Sequence, residues 1–405
     1  MNWKQEVLRR IKPTMDEEEA LHARITGFLK EVNRAGGDAR AVLGGSGAKG
    51  TWLKGQHDAD VFVLFPGKYK SESLADILEK RLKRLKKSFQ RLHGSRDYFR
   101  VQEHNFVFEI IPILKINKAR EAQNITDVSP LHAAWVKKSS EKMRDEIRIA
   151  KAFCKAQGCY GAESYIRGFS GYVLEILVIY YGSFEKLLKA AVRWEEKQVI
   201  DAGKLYKGDV WMEMNTAKLQ SPLIVVDPVD KSRNAAAALS KEKWLLFKKK
   251  AAEFLKRPGV VFFEKKEVSF DKLRGNIVWV EVESHAGKED KVGAQLLLAF
   301  EFLKKRLEDF GIVNCGWEWD QLRKGTFWFV VKKKDKERVE LRRGPPVELE
   351  KHAAAFRKKH KKTVVKGGVV FAPVAVKDYR VKDAVKTAMK EVYFKEKVKR
   401  VVSSR

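Results

Sequence analysis

The chain has 405 residues and 83 Lys+Arg against 53 Asp+Glu, a formal net charge of +30. That length exceeds one ordinary core and suggests about three domains. No apolar run of about 18 residues is present, which excludes a bilayer-spanning helix, and the start MNWKQEVLRR is too polar for a secretory signal.

A surface rich in Lys and Glu explains many charges of both signs but not the excess. The excess points to a polyanion, and nucleic acid is the natural one, because phosphate contacts release condensed counterions. Cys154, Cys159 and Cys315 form no CxxC pair. They read as reduced thiols of a cytoplasmic protein, with neither a zinc site nor a disulfide framework.

Residues 1–35 read as helical, with apolar spacing over Met15–Leu29 and acidic residues in the first turn. Ala41–Leu43 is a short strand that breaks into the glycine-rich turn Gly44-Gly45-Ser46-Gly47. Val61–Phe65 is an unbroken apolar run, hence a buried strand. Ser71–Ser88 carries a helical apolar stripe. Asn105–Ile116 is a further strand. Helices follow over Glu141–Gln157, Gly171–Tyr181, Phe184–Val199 and Lys241–Lys256, which suggests an all-helical middle. The last third mixes the strands Asn276–Glu283, Thr326–Lys333 and Val369–Val376 with the helix Ala294–Phe310. Lysine-rich stretches (Lys332–Lys336, Arg357–Lys362, Lys395–Arg400) lie among them and suit RNA contact.

The chemistry concentrates in Leu43–Phe65. Glycines at 44, 45 and 47 allow backbone amides and the Ser46 hydroxyl to approach phosphate closely. Asp58 and Asp60 are two apart at the entry of a strand, so both carboxylates share one face. They repel unless a cation lies between them, and magnesium prefers such oxygens. Glu109 sits among apolar neighbours on the later strand, with Val107, Ile111 and Ile113 on its face. A shared metal would offset the cost of its burial, and so would a Lys or Arg partner.

A Gly-Ser turn, an acid-x-acid strand entry and a third acid on a later strand resemble the nucleotidyltransferase superfamily that includes DNA polymerase beta and poly(A) polymerase. Gly45-Ser46-Gly47-Ala48-Lys49-Gly50-Thr51 further resembles the archaeal, class I CCA-adding enzymes. The likeness continues through Ser129-Pro130-Leu131-His132, Gly158–Glu163, Arg167–Tyr172, Tyr181–Phe184, Val226–Asp230 with Arg233-Asn234, and Gly344–Pro346. The Gly-Gly-x-Val-Arg-Asp head of the class II enzymes is absent.

The resemblance implies an α+β multidomain fold. Residues 1–140 would form a polymerase beta-like catalytic head with a mixed sheet. Residues 141–257 would form a helical neck for nucleotide selection, and 258–405 an α/β body and tail that binds transfer RNA. It implies addition of C, C and A to the transfer RNA 3′ end from CTP and ATP, in a monomer or homodimer. Asp58, Asp60 and Glu109 would hold two magnesium ions. Ser46 and Lys49 would contact the triphosphate. His132, Lys151 and Tyr160 would hold the nucleotide's phosphates and sugar, and Arg233 would help choose C or A. Glu109 stands where the family usually has Asp. Partial addition (CC only, A only, or a short poly(A) tail) and a degenerate RNA-binding head are the alternatives that the motifs leave open.

Overall fold

The computed structural model describes residues 2–85, 87–265 and 273–404, apart from the side chains of 336–338 and 375–379. The chain divides into two compact units, residues 1–267 and 268–405.

The first unit opens with α1 (Trp3–Ile11) and α2 (Met15–Ala35). Pro13 separates them, because a proline disfavours helical backbone in the residue before it. Thr14 and Glu17 close a reciprocal capping box at the start of α2, an arrangement that contributes about 1 kcal/mol. The strands β1 (Arg40–Leu43) and β2 (Asp58–Phe65) are joined through α3 (Gly45–Lys49), and α4 (Leu74–Leu82) follows. Helix α4 is shorter than the expected Ser71–Ser88, and within that span Lys86 lies outside the described residues. The sheet is completed by β3 (Gln90–Leu92), β4 (Tyr98–Glu103) and β5 (Phe106–Leu114), in the order β1-β2-β5-β4-β3.

Strands β2 and β5 run parallel, and their neighbours are antiparallel. One face of this mixed sheet carries Ala59, Val61, Val63, Phe65, Phe106, Phe108 and Ile110. It packs under Phe28 and Val32 of α2 and Leu74 and Leu78 of α4. Phe28 stacks on Phe108 at 3.8 Å between centroids. Strand alternation therefore turns Asp58, Asp60 and Glu109 to the other face.

A second core is built by α5 (Ser129–Ser139), α6 (Arg144–Ala156), α7 (Gly171–Tyr181) and α8 (Phe184–Arg193). After them come β6 (Gln198–Asp201), α9 (Val210–Glu213), β7 (Leu223–Asp227), β8 (Asp230–Asn234) and α10 (Lys241–Lys256). Phe153, Phe169, Phe184, Phe247 and Phe254 fill this core, and Trp3 of α1 meets Phe254 edge-on at 5.0 Å.

Two expectations change here. The helix expected over Phe184–Val199 ends at Arg193, where Trp194 turns into the core. Lys197 takes a positive φ of 68°, and Gln198–Asp201 becomes a strand that pairs in parallel with β7. The expected all-helical middle thus contains the three-stranded sheet β6-β7-β8. Burial of Val199 and Ile200 against β7 decides for strand over a continued helix.

The second unit holds β9 (Asn276–Glu283), α11 (Glu289–Leu307), β10 (Ile312–Trp319) and β11 (Lys324–Val331). It continues with β12 (Asp335–Pro346), α12 (Glu350–Lys359), β13 (Val364–Lys366) and β14 (Val369–Arg380). It closes with α13 (Val381–Lys390), α14 (Val392–Lys395) and β15 (Arg400–Ser404). The antiparallel sheet β10-β11-β9-β15 buries Val280, Val282, Phe327 and Phe329 against Leu296 and Leu303 of α11 and Val385 of α13. A smaller sheet, β12-β14-β13, packs with α12. Arg357, Lys358, Lys361 and Lys362 at the end of α12 are exposed.

Candidate active site

The site lies within the first unit, on the face of the mixed sheet that α2 and α4 leave uncovered. In the parallel register of β2 and β5, Asp60 stands opposite Glu109 and Asp58 opposite Val107. Asp58 is exposed, while Asp60 and Glu109 are half-buried. The Asp60 carboxyl is pushed up to about 6, first by burial and then by the negative charges of Glu109 and Asp58; Lys49 opposes this weakly. With Asp58 and Glu109 on the same face, Asp60 belongs to an oxygen-only donor set suited to a hard divalent cation. Among the described residues, however, no three His, Cys, Asp or Glu side chains are already gathered at ligand distance. Glu109 instead accepts from Arg100 Nη2 at 2.7 Å, its register partner on β4.

The expected glycine-rich turn is the short helix α3. It is tied to the acids through backbone: the Gly44 N–H donates to the Asp60 carbonyl at 2.7 Å. Gly45 has φ +53°, and a Cβ added there would meet Asp60 Oδ2 at 1.8 Å. At Gly44 a Cβ would meet the Phe62 ring at 2.2 Å. Ser46 follows on the same helix.

Lys49 and Lys151 converge on one carboxylate that sequence reasoning did not single out. Glu175 of α7 is 1% exposed and accepts from Lys49 Nζ at 2.8 Å, Lys151 Nζ at 2.7 Å and the Thr51 hydroxyl at 2.8 Å. Burial alone would raise the Glu175 carboxyl, but the two ammonium groups outweigh it and hold it down at about 2. Lys151 is buried, not solvent-facing. One turn on, exposed Lys155 lies over the Tyr160 ring at 5.1 Å. Tyr160 pairs with Phe169 in an isolated bridge, and its hydroxyl lies beside Gly171, where a Cβ would come within 2.9 Å of it. The signal for Glu175 was its position as the one charge in the apolar helix GYVLEILVIYY.

His132 and Arg233 meet at a second unforeseen carboxylate. Asp227, at the end of β7, is fully buried and accepts from His132 Nε2 at 2.9 Å, from Arg233 Nη1 and from the Tyr172 hydroxyl at 2.9 Å. Burial would raise the Asp227 carboxyl; the bonds and charges of His132 and Arg233 hold it down at about 2. The His132 and Tyr172 rings stand 4.2 Å apart, and Lys49 Nζ lies 5.3 Å from the Tyr172 centroid. The expected site residues therefore form three adjoining groups: the acids with α3, the Glu175 network, and the Asp227 network.

Known proteins resemble this chain. A model described as a nucleotidyltransferase domain matches residues 25–122, and one described as tRNA nucleotidyltransferase, second domain, matches 145–264. The CCA-adding enzyme of Thermococcus gammatolerans is 33% identical over 380 residues, 88% of this chain and 82% of that protein. The CCA-adding enzyme of Sulfurisphaera tokodaii is 35% identical over 318 residues, 77% and 73% respectively. That of Nanoarchaeum equitans is 44% identical over 206 residues, about half of each chain (50% and 52%). Among solved structures, the Cid1 poly(U) polymerase superposes with a TM-score of 0.52 at 15% identity, over 65% of this chain and 98% of its own. That likeness shows a shared fold over the part of the chain that it covers. The relatives similar over most of their own length establish the membership: this chain belongs to the family of the CCA-adding enzymes, which are tRNA nucleotidyltransferases.

Proposed function

We propose that the protein completes the 3′ end of transfer RNA, adding C, C and A from CTP and ATP without a nucleic acid template. The observation that carries this reading is the register of Asp60 opposite Glu109, with Asp58 on the same face and α3 packed against Asp60. Asp58, Asp60 and Glu109 would hold two magnesium ions. When bound, these supply a lower pKa to the attacking hydroxyl and positive charge to the triphosphate.

The terminal 3′ hydroxyl attacks the α-phosphate. A new ester bond forms, the α–β bridge breaks, and pyrophosphate leaves as the hydroxyl loses its proton. The protein contributes position and electrostatics, with no covalent intermediate. Ser46 on α3 meets the triphosphate, with Lys49 and Lys151 held beside it by Glu175. His132 and Tyr160 orient the phosphates and sugar, and Arg233 meets the base. Residues 1–140 act as the catalytic head and 141–257 as the selecting neck. Residues 258–405 hold transfer RNA through their exposed lysines and arginines, by phosphate and shape.

The test supplies CTP and ATP together, with magnesium, to transfer RNA lacking one, two or all three end residues. Completion of every substrate to CCA supports the proposal. Arrest after CC, addition of A alone, or continued A addition overturns it in favour of a partial or tailing activity.

A further inference from the structure

Asp227 is bonded beyond what a structural carboxylate at a strand end needs. Its Oδ2 accepts from both His132 Nε2 and Arg233 Nη1. Its Oδ1 accepts from the Tyr172 hydroxyl and, at 3.0 Å, from the Val229 N–H. The acceptor capacity of an ionised carboxylate is thereby nearly filled. The residue lies at the end of the fully buried run Leu223–Asp227, so its position is set by the core. Arg233 differs: its side chain is 28% exposed, and one guanidinium nitrogen, Nη1, is held by Asp227.

A guanidinium only donates, and its N–H groups lie in one plane. Cytosine and adenine each present an unprotonated ring nitrogen on the Watson–Crick edge. Uracil and guanine carry an N–H there. A donor fixed in plane at that edge therefore accepts the first pair and rejects the second. A donor free to rotate loses this selectivity, because a turned guanidinium meets the carbonyl oxygens of uracil and guanine equally well.

We propose that Asp227 is a positioning residue for nucleotide choice: it fixes the Arg233 guanidinium so that its remaining N–H groups select C and A against U and G. This inference rests on the reading that Arg233 meets the base. Through His132, the same carboxylate links the base-facing arginine to a side chain expected at the phosphates and sugar.

The full-length protein with Asp227→Asn, Asp227→Glu, Tyr172→Phe and Arg233→Lys is assayed on transfer RNA lacking CCA. The quantity read is the ratio of kcat/KM for CTP to that for UTP. Asp227→Asn and Asp227→Glu are each expected to lower it by at least about tenfold, the scale of one displaced charge-assisted hydrogen bond. The Glu variant keeps the charge but shifts it by a methylene, so its loss marks position rather than charge. Tyr172→Phe leaves the Arg233 bond in place and is expected to change the ratio by less than about threefold. An unchanged ratio in either Asp227 variant, with a collapsed ratio in Arg233→Lys, overturns the proposal alone. An unchanged ratio in Arg233→Lys overturns the underlying reading of Arg233, and the proposal with it.

Discussion

Gly45 lies against Asp60 so closely that an added Cβ would stand 1.8 Å from Asp60 Oδ2. The glycine is thus required twice, by its φ of +53° and by the carboxylate beside it. The backbone alone would charge an alanine about 1–2 kcal/mol for that conformation. The larger effect is displacement of Asp60 from its place opposite Glu109. Gly45→Ala is expected to lower kcat/KM for CTP incorporation by about a hundredfold or more, since misplacement by about 1 Å has such consequences. Its circular dichroism should stay close to that of the parent chain. Activity within about twofold of the parent would show that the contact is relieved at no cost.

The Asp60 carboxyl, held at about 6 against an ordinary 3.8, makes this site a source of instability when no cation is bound. The sign follows from linkage. The folded chain binds this proton more tightly than the unfolded chain, so the penalty is absent below the ordinary value. It grows as pH rises and is complete above about 6. In chelator at pH 7.5, Asp60→Asn is expected to raise stability by about 1–2 kcal/mol while abolishing incorporation. At pH 3.5 the two proteins should unfold alike. Urea unfolding at both pH values measures this, and a destabilised Asn variant at pH 7.5 would contradict the repulsion.

Glu175 behaves in the opposite sense. Its carboxyl is held at about 2, so the stability it supplies is present above the ordinary value near 4.5 and is lost as pH falls toward 2. Glu175→Ala leaves Lys49 and Lys151 as partly or wholly buried ammonium groups without their shared partner. A loss of about 3–5 kcal/mol is expected in urea unfolding at pH 7. A loss below about 1 kcal/mol would mean that the lysines reach solvent easily.

Glu109 pairs with Arg100 in this structure and stands opposite Asp60 in register. Glu109→Ala is expected to be nearly inactive, with activity retained by Glu109→Asp. Steady-state incorporation of CTP across a magnesium titration checks both. Wild-type turnover by the Ala variant would remove Glu109 from the site.

Much of the site was legible because strand alternation is strict. Asp58-x-Asp60 before Val61–Phe65 fixes which face the carboxylates share, and Glu109 follows by the same period. The parallel register that sets Asp60 opposite Glu109 was not legible, because pairing is decided by contacts distant in sequence. The same limit hid Glu175 and Asp227. Each reads locally as an odd charge in an apolar run, and only the fold brings Lys49 and Lys151 to one, and His132 and Arg233 to the other. The strand Gln198–Asp201 was misread as helix because its partner, β7, lies more than twenty residues on.

The most direct measurement is incorporation of labelled CTP by Asp60→Ala on transfer RNA lacking CCA, paired with binding of the same RNA. Loss of incorporation by more than about a thousandfold, with RNA affinity unchanged within about twofold, is the predicted result. Appreciable turnover by that variant would contradict catalysis at Asp58, Asp60 and Glu109.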